Sequence, residues 1–126
     1  NREYLEKRVK WVDSAISKGD VPEDTMVFRG VGESLGSQLN TGSVFEDKAY
    51  VSTSLNRKVA EEFASHTMLE IRVPKGSKAM SYDAAFKGTP PPENELLLPR
   101  GSSFRITGER TEEGRRILTA EVHDVR

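Results

Sequence analysis

The chain has 126 residues, a length that supports one hydrophobic core and not two. With 19 Lys+Arg against 20 Asp+Glu, the net charge of −1 argues against a nucleic-acid footprint, and zero cysteines exclude disulfides and thiolate metal sites. Hydrophobic residues make up 35% and charged residues 31%, so a modest core under a well-solvated surface is expected. No apolar run approaches the roughly 18 residues needed to cross a bilayer, and the charged residues 1–10 do not read as a signal peptide. His66 and His123 lie far apart in sequence and form no metal-ligand cluster, so no metal is expected.

Leu5, Val9, Val12 and Ile16 recur at steps of four, three and four, the stripe of an amphipathic helix that Gly19, Asp20 and Pro22 bring to an end. Trp11 lies one step off that stripe and reads as a packing residue rather than a platform for a ligand. Because the helical phase is already running at Tyr4, the chain reads as a domain cut from a longer polypeptide. Residues 25–29 form the first expected strand, followed by a loop-rich stretch over residues 30–44 that Gly30, Gly32, Gly36 and Gly42 interrupt. The second strand falls within residues 47–54, and Asn56 is a candidate N-cap for a helix over residues 57–65. Residues 68–73 alternate and stop at Pro74 as a strand does, whereas residues 79–92 look irregular. Residues 96–98 form a short apolar strand, expected to be buried on both faces. Residues 104–107 and 117–122 form the last strands, joined through an exposed charged turn over residues 109–116.

Three short motifs carry chemistry. Met26-Val27-Phe28-Arg29-Gly30 ends an apolar run in an arginine and a glycine, and Ala49-Tyr50-Val51-Ser52-Thr53-Ser54-Leu55 closes a strand in three hydroxyl residues. Glu93-Asn94-Glu95 sets two carboxylates at the mouth of the Leu96-Leu97-Leu98-Pro99 strand. In extended chain, residues two apart point to the same side, so both acids can face one ligand. Like charges this close repel, a poor way to stabilise a sheet and a useful one for two acids with different roles. An isolated Glu-x-Glu is more often a pair of solvated loop acids; the company of the other two motifs changes that reading.

An arginine at a strand end, a Ser-Thr-Ser and a Glu-x-Glu, in that order, resemble the mono-ADP-ribosyltransferases of the bacterial toxin exoenzymes, a family that includes C3-like and binary actin-modifying toxins. The likeness spans residues 24–106 and extends to Val73-Pro74-Lys75-Gly76 and to the helix-like run Val59-Ala60-Glu61-Glu62-Phe63-Ala64. It implies an α+β ADP-ribosyltransferase fold: two packed, mostly antiparallel β-sheets enclosing an NAD cleft and flanked by helices. Residues 1–126 would then be a single catalytic domain, the C-terminal part of a longer chain. Transfer would go from NAD to an arginine of a target protein, with release of nicotinamide.

The resemblance also implies roles. Glu95 would hydrogen-bond the ribose 2′-hydroxyl and stabilise the developing cation, and Ser52 would orient Glu95. Arg29 would hold NAD through a charge-assisted contact, Gly30 would let backbone approach the nicotinamide amide, and Thr53 and Ser54 would join the cofactor site. Phe63 would stack on nicotinamide; from spacing alone it reads equally well as a core-facing residue. Glu93 would select the acceptor, because members with glutamate there mostly modify arginine, which a carboxylate can grip bidentately. Tyr82, Phe86 and Pro90-Pro91-Pro92 would belong to the loop that recognises the target.

Departures from the family pattern also count. Gly30 stands where binary-toxin members carry a second arginine, and His66 stands where some carry another NAD-binding arginine. Each charged hydrogen bond absent predicts NAD binding weaker by about 1–3 kcal/mol, which His66 would partly make up. Two alternatives stand beside the transferase: an NAD glycohydrolase, with water as acceptor, and a non-catalytic binding module that keeps the fold. Neither a nucleic acid nor a membrane is an expected partner. The resemblance implies secretion or delivery into a target cell within a larger toxin or effector, and a cognate immunity protein wherever such a toxin acts inside a bacterium.

Overall fold

Eight strands and three helices make up the computed structural model, which describes residues 2–64, 66–81 and 95–124. In chain order they are α1 (Arg2–Lys18), β1 (Thr25–Val31), α2 (Glu33–Gly36), β2 (Val44–Asp47), β3 (Val51–Ser54) and α3 (Arg57–Phe63). There follow β4 (Thr67–Val73), β5 (Met80–Ser81), β6 (Glu95–Leu98), β7 (Ser102–Glu112) and β8 (Arg115–Asp124). The class is α+β, as expected. Among the described residues no helix is long and apolar enough to cross a membrane.

The strands run in the order β2-β7-β8-β4-β1-β3-β6-β5, antiparallel throughout except for the parallel pair β4–β8. Two sheets were expected, and the strands do fall into two groups, β2-β7-β8-β4-β1 and β3-β6-β5. A single Cα pair, Phe28↔Ser54, joins them into one hydrogen-bonded array. The groups share a core: Val51 and Leu98 of the smaller one pack with Val27, Leu69, Ile71, Phe104, Ile106 and Leu118 of the larger.

β4 is the central strand. It sits between β1 and β8, and Met68, Leu69, Ile71 and Val73 are all buried, so both of its faces are covered. Leu69, Ile71 and Val73 face the main core. Met68 faces the other way, onto Ala60 of α3 and Ile117 of β8. α1 closes the smaller group, with Val12 and Ile16 packed on Met80 and against Tyr50 and Leu97. Of the expected helical stripe, Val12 and Ile16 are therefore the buried half, while Leu5 is exposed. Trp11, one step off that stripe, is 49% exposed.

Three further segments differ from the sequence reading. β2 falls between the stretch read as loop, which ends at residue 44, and the expected second strand, which begins at residue 47; it is a four-residue edge strand too short to show a period. Leu98 is buried but Leu96 and Leu97 only half so, because the outer neighbour of β6 is the two-residue β5. The charged turn contracts to two residues: Glu113 (φ 50°) and Gly114 (φ 78°) both take positive φ, as a tight hairpin turn requires, and β7 and β8 extend right up to them.

Candidate active site

Three strands bring the motif residues together. β1 and β3 are neighbours, yet their ladder ends at Phe28↔Ser54. One residue further, Arg29 and Gly30 pair only with Leu69 and Met68 of β4, while Ser52 and Thr53 pair with Leu97 and Leu96 of β6. The two motif strands thus part at the level of their functional residues.

The hydroxyls of Ser52-Thr53-Ser54 have separate jobs, set by the alternation of a strand. Ser52 faces solvent and donates a hydrogen bond to Oε2 of Glu95. Glu95 lies directly opposite Ser54 on β6, so it is one diagonal step from Ser52, a separation that a long side chain spans. Thr53 points inward, 2% exposed, and donates to the Leu96 carbonyl at 2.7 Å, which ties β3 to β6. Ser54 is buried as well, and its hydroxyl accepts the Asn56 N–H at 2.9 Å. The Asn56 side chain then accepts from the Lys58 N–H at 3.0 Å, the N-cap of α3. Ser52 contacts the Glu95 carboxylate, while Thr53 donates to a backbone carbonyl and Ser54 accepts from a backbone N–H.

Arg29 projects from β1 and donates from Nη1 to Oδ2 of Asp47 at 3.0 Å, with side chains 30% and 21% exposed. Asp47 was not singled out in the sequence, where it sits in a charged run without a motif of its own. Gly30 is a half-buried ladder residue of β1 and does not need positive φ, so its lack of a side chain is not a backbone requirement. His66 is exposed and lies just before β4, beyond the rung Val31↔Thr67. It lines a cavity of about 610 Å³ with Glu33, Ser34, Ser37, Thr67 and Arg116, separate from the Ser52–Glu95 pair. Glu93, Tyr82, Phe86, Pro90-Pro91-Pro92 and the side chain of Phe63 lie outside the described residues. Among the described residues, no group of three or more His, Asp or Glu side chains could hold a metal.

Behind the site, α1 is fixed to the far end of β6. Arg100 grips Asp13 through two nitrogens, Nε at 3.1 Å and Nη2, and stands over the Tyr50 ring 5.6 Å from its centre. The Tyr50 hydroxyl donates to Asp13 at 2.7 Å. The Arg100 bond holds the Asp13 carboxyl below the usual range, while desolvation, reinforced by Asp13, pushes the Tyr50 phenol up to about 12.

Residues 1–124 match the family described as ADP-ribosyltransferase exoenzyme. The chain is 32% identical over 113 residues to the NAD(+)–arginine ADP-ribosyltransferase EFV of Enterococcus faecalis, which covers 82% of this chain and 22% of that protein. It is 30% identical to the mono-ADP-ribosyltransferase C3 of a Clostridium botulinum D phage, covering 90% of this chain and 54% of the relative. The chain therefore spans about half or less of these relatives' length. Among solved structures, the C3 exoenzyme of Clostridium limosum superposes with a TM-score of 0.75 at 23% identity, over 97% of this chain and 70% of that one. An ADP-ribosyltransferase toxin from Paenibacillus larvae gives 0.77 at 21%, over 97% and 72%. At these identities the superpositions establish the fold.

Proposed function

Since the chain belongs to the ADP-ribosyltransferase exoenzyme family, we propose that it moves ADP-ribose from NAD to an arginine side chain of a target protein and releases nicotinamide. The observation that carries this reading is the Ser52–Glu95 contact: a carboxylate oriented by a neighbouring strand's hydroxyl, beside the strand that bears Arg29. The donor set suits the substrate, since it offers one cationic fork for a phosphate and one oriented carboxylate for a ribose hydroxyl.

Bound NAD supplies a nicotinamide–ribose bond that breaks through an oxocarbenium-like transition state, the electronic problem that glycosidases also face. Glu95 accepts the ribose 2′-hydroxyl and places negative charge beside the carbon that becomes positive. Ser52 holds Glu95 in that rotamer, so little reorganisation is needed as charge develops. Arg29 anchors the dinucleotide by a phosphate or ribose contact, with Gly30 beside it admitting the nicotinamide amide close to backbone. Glu93 grips the acceptor guanidinium and takes the proton it loses as the new carbon–nitrogen bond forms. Support for an arginine acceptor comes from the relative whose own name specifies arginine. In this reading the chain is the catalytic domain of a secreted toxin or effector, and His66 adds a contact at the edge of the NAD site.

Nicotinamide release from NAD, measured with and without the small guanidino compound agmatine, tests the proposal. Release stimulated by agmatine, with an ADP-ribosylated adduct seen by mass spectrometry, is the expected result. Release indifferent to agmatine would make the chain a glycohydrolase or a transferase for another acceptor, and no release from folded protein would leave a binding module.

A further inference from the structure

β2 and β1 stand four places apart in the strand order β2-β7-β8-β4-β1, which in a flat sheet would separate them by about 19 Å. An aspartate and an arginine cannot bridge that distance. Yet Asp47, the last residue of β2, meets Arg29 of β1 at 3.0 Å. The larger strand group must therefore curl until its edge strand returns to β1, and the Arg29–Asp47 pair closes that curl.

Asp47 is held on every side. Its Oδ1 accepts the Ala49 N–H at 3.0 Å, so the carboxylate is pinned by its own turn. Its backbone carbonyl accepts the Gly101 N–H at 2.8 Å, which fastens it to the loop that follows β6, the strand of Glu95. Asp47 thus touches β1 through its side chain and the β6–β7 connection through its backbone. Only Nη1 of Arg29 is engaged; the remaining N–H groups of the guanidinium have no partner among the described residues. A guanidinium carries five N–H donors in a fixed plane, so fixing one nitrogen from behind aims the others.

The geometry points to Asp47 as a positioning residue for the anchor arginine: it holds the Arg29 guanidinium in one orientation, with its other nitrogens presented to the phosphates of NAD. This rests on the reading that Arg29 binds NAD. Long arginine side chains lose rotamer freedom when they bind, and an arginine already held loses less. A pinned carboxylate also opposes phosphate by charge, so the two effects of Asp47 have opposite sign, and the substitutions below separate them.

Isothermal titration of NAD into the folded chain makes the test, with melting curves as a check on folding. Asp47→Ala is expected to weaken NAD binding about tenfold, because the guanidinium is released. Asp47→Asn has one amide oxygen in place of two, so it can keep the Arg29 Nη1 bond only by giving up the Ala49 one, and it removes the charge that opposes phosphate; it is expected to lose less NAD binding than Asp47→Ala. In an Arg29→Ala background, Asp47→Ala should bring no further loss, since the positioning effect passes through Arg29. If the alanine variant does not fold, Asp47→Ser takes its place; its hydroxyl can serve the turn but is too short to reach Arg29. Unchanged or tighter binding by Asp47→Ala, or an equal loss in Asp47→Ala and Asp47→Asn, would overturn the positioning role alone. Arg29→Ala binding NAD as well as the parent would overturn the reading of Arg29 and this role with it.

Discussion

Ser52 and Glu95 meet because of where two strands happen to be in register: Ser54 opposes Glu95, which leaves Ser52 one diagonal away and within reach of the carboxylate. From the proposed division of labour, Glu95→Gln should abolish both nicotinamide release and transfer, a loss of at least about a thousandfold in kcat. Glu93→Gln should lose transfer to agmatine yet keep part of the NAD hydrolysis, because it acts on the acceptor and not on the ribose. Comparing the two products in each variant checks this, and equal loss of both in the two variants would contradict it. Arg29, Ser52 and Glu95 were legible in the sequence because each sits in a motif with a characteristic order. Asp47 was not, since only the curl of the larger strand group brings it to Arg29. The separate work of Thr53 and Ser54 was half legible: strand alternation implies that one of three hydroxyls turns inward, but not which backbone group it meets.

At the level of elements, α3 follows Ser54 through a compact junction in which Ser54 accepts from Asn56 and Asn56 accepts from Lys58. Asn56→Ala removes the cap of a helix only seven residues long and should cost about 1 kcal/mol, a fall of roughly 3–4 °C in melting temperature for a chain of this size. Calorimetry measures it directly; an unchanged melting temperature would mean that packing of Ala60 on Met68 and Ile117 holds the helix without its cap. This cap was readable because its signal is local. The β7–β8 hairpin was read too short because its strands are densely charged near the tip, and charge runs usually mean loops. Here the charges are paired instead: Arg116 with Glu109 at 2.8 Å, Arg115 with Glu61 at 3.1 Å, and Arg57 with Glu112. Charged residues of the hairpin are satisfied by its partner strand and by α3, and no pattern along a single segment displays that.

Over the whole molecule, ion pairs tie together segments remote in sequence. Asp13 is held low by Arg100; Asp24 by the Lys75 N–H and then Arg72; Glu109 by Arg116; and Glu112 by Arg57 and then Arg110. These carboxyls lie below their ordinary values when folded, so as pH falls the unfolded chain takes up protons first. Their contribution is complete above about pH 4 and is lost as pH drops further, through the folded-state values. At the other extreme the neutral Tyr50 phenol is favoured by the fold, so its contribution is complete below pH 10.0 and declines as pH rises to about 12. Melting temperature followed from pH 7 down to 3 and up to 12 should trace a plateau with a fall at each end; a flat acid limb would mean that these pairs contribute nothing.

The single rung Phe28↔Ser54 gives the array a mechanical property. Elsewhere adjacent strands are laced by several bonds, and shearing one past another breaks them all at once. At this seam one rung is all that couples the backbone of β1 to that of β3, so bending there leaves every other ladder intact. The shared apolar core, with Val51 and Leu98 set among the residues of the larger group, supplies the restoring force. A small displacement of the Arg29 side from the Ser52 side would therefore strain one rung and the Arg29–Asp47–Gly101 tie rather than a whole ladder.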